Sequence, residues 1–468
     1  MRYVSTRGTA PTLSFEDVLL AGLARDGGLY VPETWPRFTK AEIRAMRGQS
    51  YGEVALRVIR PFIGEEIDEP ALRRIIAGAY KDFDHPAIAP LRQLDANLFL
   101  VELYRGPTLA FKDYALQLVG LLFDHVLSKR GARVTIIGAT SGDTGSAAIE
   151  AMKDRASVEC FIFHPKGRVS DVQRRQMTTV LSPNIHNIAL EGTFDDCQDM
   201  VKALFADHAL RDRYNFSAVN SINWARIMAQ IVYYFTSALA LGAPDRKLAF
   251  AVPTGNFGNV FAGYAAKRMG LPIEKFVIGT NANDILARFL ATGKMEMAEV
   301  TATLSPSMDI QVSSNFERLV FEHYKRNGLA VAKVMERFRK NRAVDFGKGR
   351  WKAMLRDFQG SRLGDNGTKD TIARVWRESG VMIDPHSAIG VEAARGANLS
   401  ADVALVALAT AHPAKFPDAV EQATGVHPAL PPRLADLATR EERLSVLPND
   451  IAAVKAFLAE RLAAKVAA

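Results

Sequence analysis

The sequence predicts an α/β protein built on a parallel sheet covered by helices on both faces, preceded by a mainly helical unit. Three observations predict this. From about residue 96 onward, short unbroken apolar runs recur, each followed by a glycine-bearing turn and a helical stretch. Parallel strands buried on both faces read in this way. Before that point, apolar residues recur at helical intervals behind serine caps. The 468 residues, 48% of them hydrophobic, suffice for two or three structural units around a large core.

The elements follow in chain order. Residues 1–95 form the helical unit. Ser14-Phe15-Glu16-Asp17 and Ser50-Tyr51-Gly52-Glu53 have capping-box spacing, and Val18, Leu19 and Leu23, then Val54, Val58 and Ile59, supply the apolar stripes. Asp26-Gly27-Gly28 is a turn before the short run Leu29-Tyr30-Val31, which stops at Pro32. A third helix runs from Pro70 to Phe83, where proline suits the first turn. The region 96–468 carries the strands: Leu98 to Val101, Val134 to Ala139, Cys160 to Phe163, Leu248 to Val252, Phe276 to Gly279 and Val403 to Leu408. Pro431-Pro432 marks a break before a helical tail over 433–468.

Net charge is +8, and the excess is local. Between Lys325 and Arg362, twelve Lys or Arg stand against three acids (Glu336, Asp345, Asp357), a surplus of nine. With Val331, Val334, Met335 and Phe338 at helical spacing, this reads as a basic helical insertion over about 317–370 with a solvated face. No aromatic-interleaved motif accompanies it, so no nucleic-acid partner is expected; a pull on anionic substrates fits better. No apolar run reaches the roughly 18–20 residues of a membrane span, and no apolar segment follows the basic N-terminal residues. No membrane partner and a cytoplasmic location are expected. Cys160 and Cys197 form no metal-ligand spacing, so no metal site is expected, and two buried reduced thiols are.

Four segments carry candidate chemistry. Gly106-Pro107-Thr108-Leu109-Ala110-Phe111-Lys112-Asp113 sets one lysine among apolar neighbours. A sheltered lysine becomes a usable amine, suited to an aldehyde cofactor, whereas a lysine that snorkels at a helix start is inert. Thr140-Ser141-Gly142-Asp143-Thr144-Gly145 joins a strand to a helix of small residues, as an anion site or as an ordinary capped turn. Pro253-Thr254-Gly255-Asn256-Phe257-Gly258-Asn259 repeats the design before a helix over Val260 to Lys267. It lacks a Walker ending and a dinucleotide fingerprint, so a single phosphate held by backbone amides fits best. Asn220-Ser221-Ile222-Asn223-Trp224-Ala225-Arg226 opens a helix with amides, a hydroxyl and a guanidinium that could meet a second phosphate, or is simply capped. Thr410 ends the last strand, where ligands of open sheets sit. His412 reads as structural, and Asp384-Pro385-His386-Ser387 as an ambiguous polar turn.

The Gly106 to Asp113 block, the Ser141 to Gly145 and Gly255 to Asn259 loops, the Ala409 to Phe416 segment and Asp26 to Pro32 together resemble threonine synthase, a family of fold type II pyridoxal-phosphate enzymes. The resemblance runs in order along nearly the whole chain, and the basic insertion is similar to that of the longer bacterial and fungal form. It implies two open twisted, mainly parallel sheets, a mobile subdomain over about 110–235 that closes to exclude water, and a monomer. It implies pyridoxal 5'-phosphate as cofactor and O-phospho-L-homoserine as substrate, converted with water to L-threonine and phosphate. Lys112 then forms the internal aldimine and shuttles protons. Gly255, Asn256, Phe257, Gly258 and Asn259 hold the cofactor phosphate, and Thr410 hydrogen-bonds the pyridine nitrogen. Ser141, Gly142 and Thr144 take the substrate carboxylate, and Asn220, Ser221 and Arg226 its phosphate, with Asn259 as a helper. Asp143 stands where the wider superfamily has Asn beside the cofactor's phenolic oxygen, and is expected to act partly through its backbone. Arg105 stands where family members often have His. A serine or threonine deaminase, and a lyase releasing 2-oxobutyrate from the same substrate, share the lysine and the phosphate loop; a non-catalytic anion binder would share neither the cofactor nor the chemistry.

Overall fold

The computed structural model describes residues 1–218 and 220–466. The chain divides into two compact units, Met1–Ala115 with Ser221–Ala429, and Leu116–Asn220 with Leu430–Ala468. Each is a sheet flanked by helices.

The first unit holds six strands in the order Phe358–Arg362, Ile273–Thr280, Leu248–Pro253, Ala404–Ala409, Leu98–Glu102, Leu91–Gln93. The first five are parallel, and only the edge strand Leu91–Gln93 runs antiparallel. All six side chains of Leu248–Pro253 are buried, as a strand covered on both faces requires. Residues 1–95 contribute a two-stranded antiparallel pair, Tyr3–Ser5 with Tyr30–Pro32, and the helices Phe15–Ala21, Lys40–Arg44, Tyr51–Ile63 and Glu69–Tyr80. Their aromatic side chains surround Trp224, fully buried against Tyr3, Trp35 and Phe62 at ring distances of 6.0, 6.0 and 5.5 Å.

The second unit is a five-stranded, wholly parallel sheet in the order Ser445–Pro448, Ile185–Glu191, Val158–Pro165, Val134–Ala139, Phe216–Ser217. Cys160 and Cys197 are both free and buried, and burial pushes the Cys197 thiol up to about 12.

Three expectations need correction. Ser14 and Ser50 each accept the forward bond, from Asp17 N and Glu53 N, but the box with both bonds forms at Thr39–Glu42 and Thr193–Asp196 instead. The basic stretch is not purely helical. Besides Phe316–His323, Gly328–Asn341, Lys348–Met354 and Asp365–Ser379 it supplies the edge strand Phe358–Arg362 and the short strand Ala343–Asp345. Of the expected stripe, Val331, Val334 and Phe338 are buried and Met335 is half-buried. The tail beyond 433 is α-helical over Ile451–Val466; before that come a 3-10 turn at Leu437–Thr439 and Ser445–Pro448, which pairs in parallel with Ile185–Glu191. No helix among the described residues is long and apolar enough to cross a membrane.

Candidate active site

The lysine segment follows strand Leu98–Glu102 and is zipped to the segment after Ala404–Ala409. Phe111 N donates to Thr410 O at 2.9 Å, and His412 N donates to Leu109 O at 3.0 Å. Asp113 locks the turn from within, accepting Thr108 N at 2.8 Å and Thr108 Oγ1 at 2.6 Å. Lys415, fully buried, donates to Thr108 O at 2.7 Å. Lys112 opens the helix Lys112–Arg130 and is only 9% exposed, and its Nζ reaches Ser307 Oγ at 3.4 Å. The sheltered setting read from its neighbours is therefore present. Arg105 is paired with Glu102 and lies over the Tyr104 ring, 5.5 Å from its centroid.

Thr410 lies one residue beyond its strand and is nearly buried. Its backbone N donates to Ser387 Oγ at 3.2 Å, and that hydroxyl donates to Asp384 Oδ1. Asp384 caps the helix Pro385–Arg395 and binds His386 Nδ1 at 2.7 Å. The ambiguous turn at 384–387 is thus a buried brace under Thr410. His412 caps a short turn, its Nδ1 accepting Ala414 N at 3.2 Å, which is the structural role.

The loop after Leu248–Pro253 is held through its oxygens. Ser313 Oγ donates to Gly255 O at 2.6 Å, and Asn315 donates to Asn256 O through both N and Nδ2 at 3.0 Å. Tyr233 and Tyr234 donate to Asn259 Oδ1 at 2.6 and 2.9 Å. None of these bonds uses an N–H of residues 255–259. The helix Gly258–Arg268 then starts with no side-chain cap, behind Phe257 in the left-handed region at φ +63°. A left-handed phenylalanine is costly and persists because its ring is clamped, edge-on to Phe316 at 5.2 Å. A helix start without a side-chain cap can cradle an anion through its first amides. Asn259 Nδ2 is buried with no partner among the described residues.

Ser221 borders this cradle. Asn315 Nδ2, the amide that binds Asn256 O, also donates to Ser221 O at 3.1 Å, and a Cβ on Gly258 would lie 3.8 Å from Ser221 O and 3.5 Å from Ile227 Cδ1. Arg226 sits one turn into the helix Trp224–Ala240, 4% exposed, with Nε and Nη1 unpartnered among the described residues. Burial alone lowers its pKa to about 10. An unpaired buried guanidinium is expensive, and an anion is the natural remedy.

The second unit carries Ser141, Gly142, Asp143, Thr144 and Asn220. Gly142, at φ +146° with Gln173 2.5 Å from where a Cβ would stand, cannot be another residue without strain. Thr140 Oγ1 accepts Gly142 N at 3.0 Å and Gly145 N at 2.8 Å, so two of the loop's amides are engaged. The helix Asp143–Met152 begins without a side-chain cap. The Asp143 carboxylate is buried and accepts Gln173 Nε2 at 2.9 Å.

Reading the sequence missed Ser307, Asn315, Arg318 and Gln173. Arg318 is fully buried, donates to Tyr30 O at 3.0 Å and to Ile222 O at 2.5 Å, and also binds Asn315. Its burial lowers its pKa to about 9. The Asn259 amide and the uncapped helix start fit a phosphorylated cofactor beside Lys112, and the buried Arg226 is left over for a further anion.

Comparison with known proteins agrees with this chemistry. Residues 2–80 match the family model "Threonine synthase N terminus", 84–337 match "Pyridoxal-phosphate dependent enzyme" and 387–458 match "Threonine synthase, C-terminal". The chain is 57% identical to threonine synthase of Pseudomonas aeruginosa over 98% of each chain. It superposes on the structure of pyridoxal-phosphate-bound threonine synthase from Brucella melitensis with a TM-score of 0.97 and 54% identity, covering 98% of this chain and 99% of that one. For the yeast enzyme the values are 0.94 and 39%, covering 99% of each. The chain belongs to the threonine synthase family of pyridoxal-phosphate-dependent, fold type II enzymes.

Proposed function

We propose that this chain converts O-phospho-L-homoserine and water to L-threonine and phosphate. The observation that carries the reading is Arg226: a buried guanidinium with two unpartnered nitrogens, on a helix that packs against the cofactor-phosphate cradle. A second phosphate site is what a substrate bearing its own phosphate needs, and what a serine or threonine deaminase does not.

When bound, the cofactor supplies an aldehyde that takes up an amine and a conjugated ring that accepts the electrons left at Cα. The chain's residues do the rest. Gly255, Asn256, Phe257, Gly258 and Asn259 hold the cofactor phosphate through backbone amides and the helix start. Thr410 hydrogen-bonds the pyridine nitrogen with its hydroxyl, and the brace from Asp384 through Ser387 fixes its backbone. Lys112 is the attachment point for the cofactor. Once released, its amine takes the α-proton and later returns it. Ser141, Gly142 and Thr144 bind the substrate carboxylate, with Asp143 acting through its backbone beside the phenolic oxygen. Asn220, Ser221 and Arg226 grip the substrate phosphate, aided by Asn259, so that it leaves from Cγ along a fixed direction. Water then adds at Cβ. The reading extends to a monomeric, cytoplasmic protein; light scattering of the purified protein tests the first and cell fractionation the second.

Product analysis by NMR tests the reaction. Incubation with O-phospho-L-homoserine and pyridoxal phosphate yields threonine and phosphate in equal amounts on this account. Accumulation of 2-oxobutyrate with ammonia would assign the chain to the deaminating lyases instead.

A further inference from the structure

Lys112 Nζ donates to Ser307 Oγ at 3.4 Å. Ser307 lies in the single turn Pro306–Met308 and also borders the phosphate cradle: a Cβ on Gly255 would stand 2.8 Å from Ser307 O. One residue therefore touches the reacting amine and abuts the loop assigned to the cofactor phosphate.

The turn is held with more bonds than its length requires. The Asp309 carboxylate accepts Asn281 Nδ2 at 2.7 Å, Asn283 Nδ2 at 2.9 Å, Thr303 Oγ1 at 2.7 Å and Thr303 N at 3.0 Å. Asn281 Nδ2 also reaches Ser305 Oγ at 2.9 Å. Asn281, Asn283 and Ser305 are all buried, and the two asparagines directly follow strand Ile273–Thr280. The network ties the irregular stretch 303–309 to the carboxyl end of a central strand. A polar network of this density fixes backbone geometry, and here, with Thr303 and Asp309 half-buried, it holds the turn that carries Ser307.

We propose that Ser307 is a catalytic residue of this site, whose hydroxyl accepts an N–H of the released Lys112 amine and so aims its lone pair at the substrate Cα, and that Asp309 is the positioning residue that holds it there. The inference rests on the reading of Lys112 as the base. A lysine on a four-carbon stem has many rotamers, and fixing one N–H removes most of them. In the proton transfer the Cα–H bond breaks and the proton goes to Nζ, which becomes an ammonium. Ser307 keeps its own proton and changes only from partner of an amine to partner of an ammonium. Because it stabilises the charged nitrogen, it also favours the protonated form of whatever group Nζ has become.

The test uses full-length holoenzyme. S307A lowers kcat by about ten- to hundredfold, the range of one oriented proton-transfer group, with KM for O-phospho-L-homoserine within about twofold. It also lowers the pH midpoint of the bound cofactor's visible band by about half a unit or more, since the acceptor that favoured the protonated form is gone. S307T, which restores the hydroxyl, recovers both. D309N reproduces the loss in kcat, and in the S307A background it adds less than about a twofold further loss, because its effect passes through the serine. An S307A enzyme with wild-type kcat or an unmoved midpoint overturns the proposal. So does S307A that loses cofactor rather than rate, or D309N that is as damaging without the hydroxyl as with it. K112A is measured alongside: turnover there overturns the reading of Lys112 itself, whereas a dead K112A beside an unimpaired S307A overturns this inference alone.

Discussion

The loop after Leu248–Pro253 and the loop after Val134–Ala139 share one plan: a buried parallel strand, a glycine turn, and a helix with no side-chain cap. They differ in what holds the turn. Among the described residues, the first is gripped from outside, by Ser313, Asn315, Tyr233 and Tyr234, at its oxygens. The second is gripped from inside, by Thr140, whose hydroxyl takes two of its amides. A turn that keeps its N–H groups suits a dianion held throughout the reaction. A turn with fewer amides to offer suits a monoanion that must come and go. The same local pattern thus leaves the amides of the first turn free of these bonds and engages two in the second, which is the difference the proposed roles of the two loops rest on.

The largest expected effect lies beside the first loop. K112A abolishes measurable turnover, a loss of about a thousandfold or more for a residue that serves as attachment point and base. Survival of turnover would leave the first loop as a mere anion site. Next is R226Q. It raises KM for O-phospho-L-homoserine by about a hundredfold, as expected when a buried charge-assisted pair is lost, while cofactor affinity changes by about twofold or less. Equal loss of both would place Arg226 on the cofactor's phosphate. Inorganic phosphate also raises Tm of the wild type, and this shift disappears in R226Q, because the ligand relieves an unpaired buried guanidinium.

Two glycine substitutions then separate the loops. G255A brings a methyl to 2.8 Å from the Ser307 carbonyl, so the cradle must shift and cofactor affinity falls by about tenfold or more, with the substrate KM of reconstituted enzyme little changed. G142A forces alanine into φ +146° against Gln173, a strain of about 1–3 kcal/mol, and raises substrate KM while cofactor affinity holds. Both effects falling on the cofactor would erase the distinction between the loops. The smallest effect is Q173A, which leaves the Asp143 carboxylate short of a donor, and lowers Tm by a few degrees without abolishing activity.

What could be read from the chain alone follows from how local each signal is. The central strands were legible because burial on both faces leaves an unbroken apolar run, as in Leu248 to Val252. The edge strand Phe358–Arg362 was not: its sequence, Phe-Gln-Gly-Ser-Arg, has one fully buried side chain and sits inside a charge-rich stretch that pointed to helix. Ser445–Pro448 was hidden likewise, half of its side chains being exposed. Lys112 and both loops announced themselves through glycines and hydroxyls at strand ends. Ser307 and Asn315 gave no such signal, because each acts on residues at least 50 positions away and lies in irregular chain. Arg318 was masked by its surroundings: among so many surface cations, nothing marked this residue as fully buried.

The account turns on Lys112 being the residue joined to the cofactor. Borohydride reduction of the holoenzyme, followed by peptide mass mapping, tests this most directly. The pyridoxyl group is expected on the peptide that contains Lys112 and nowhere else. Its appearance on another lysine, or an unmodified Lys112 after reduction of fully loaded enzyme, would contradict the account.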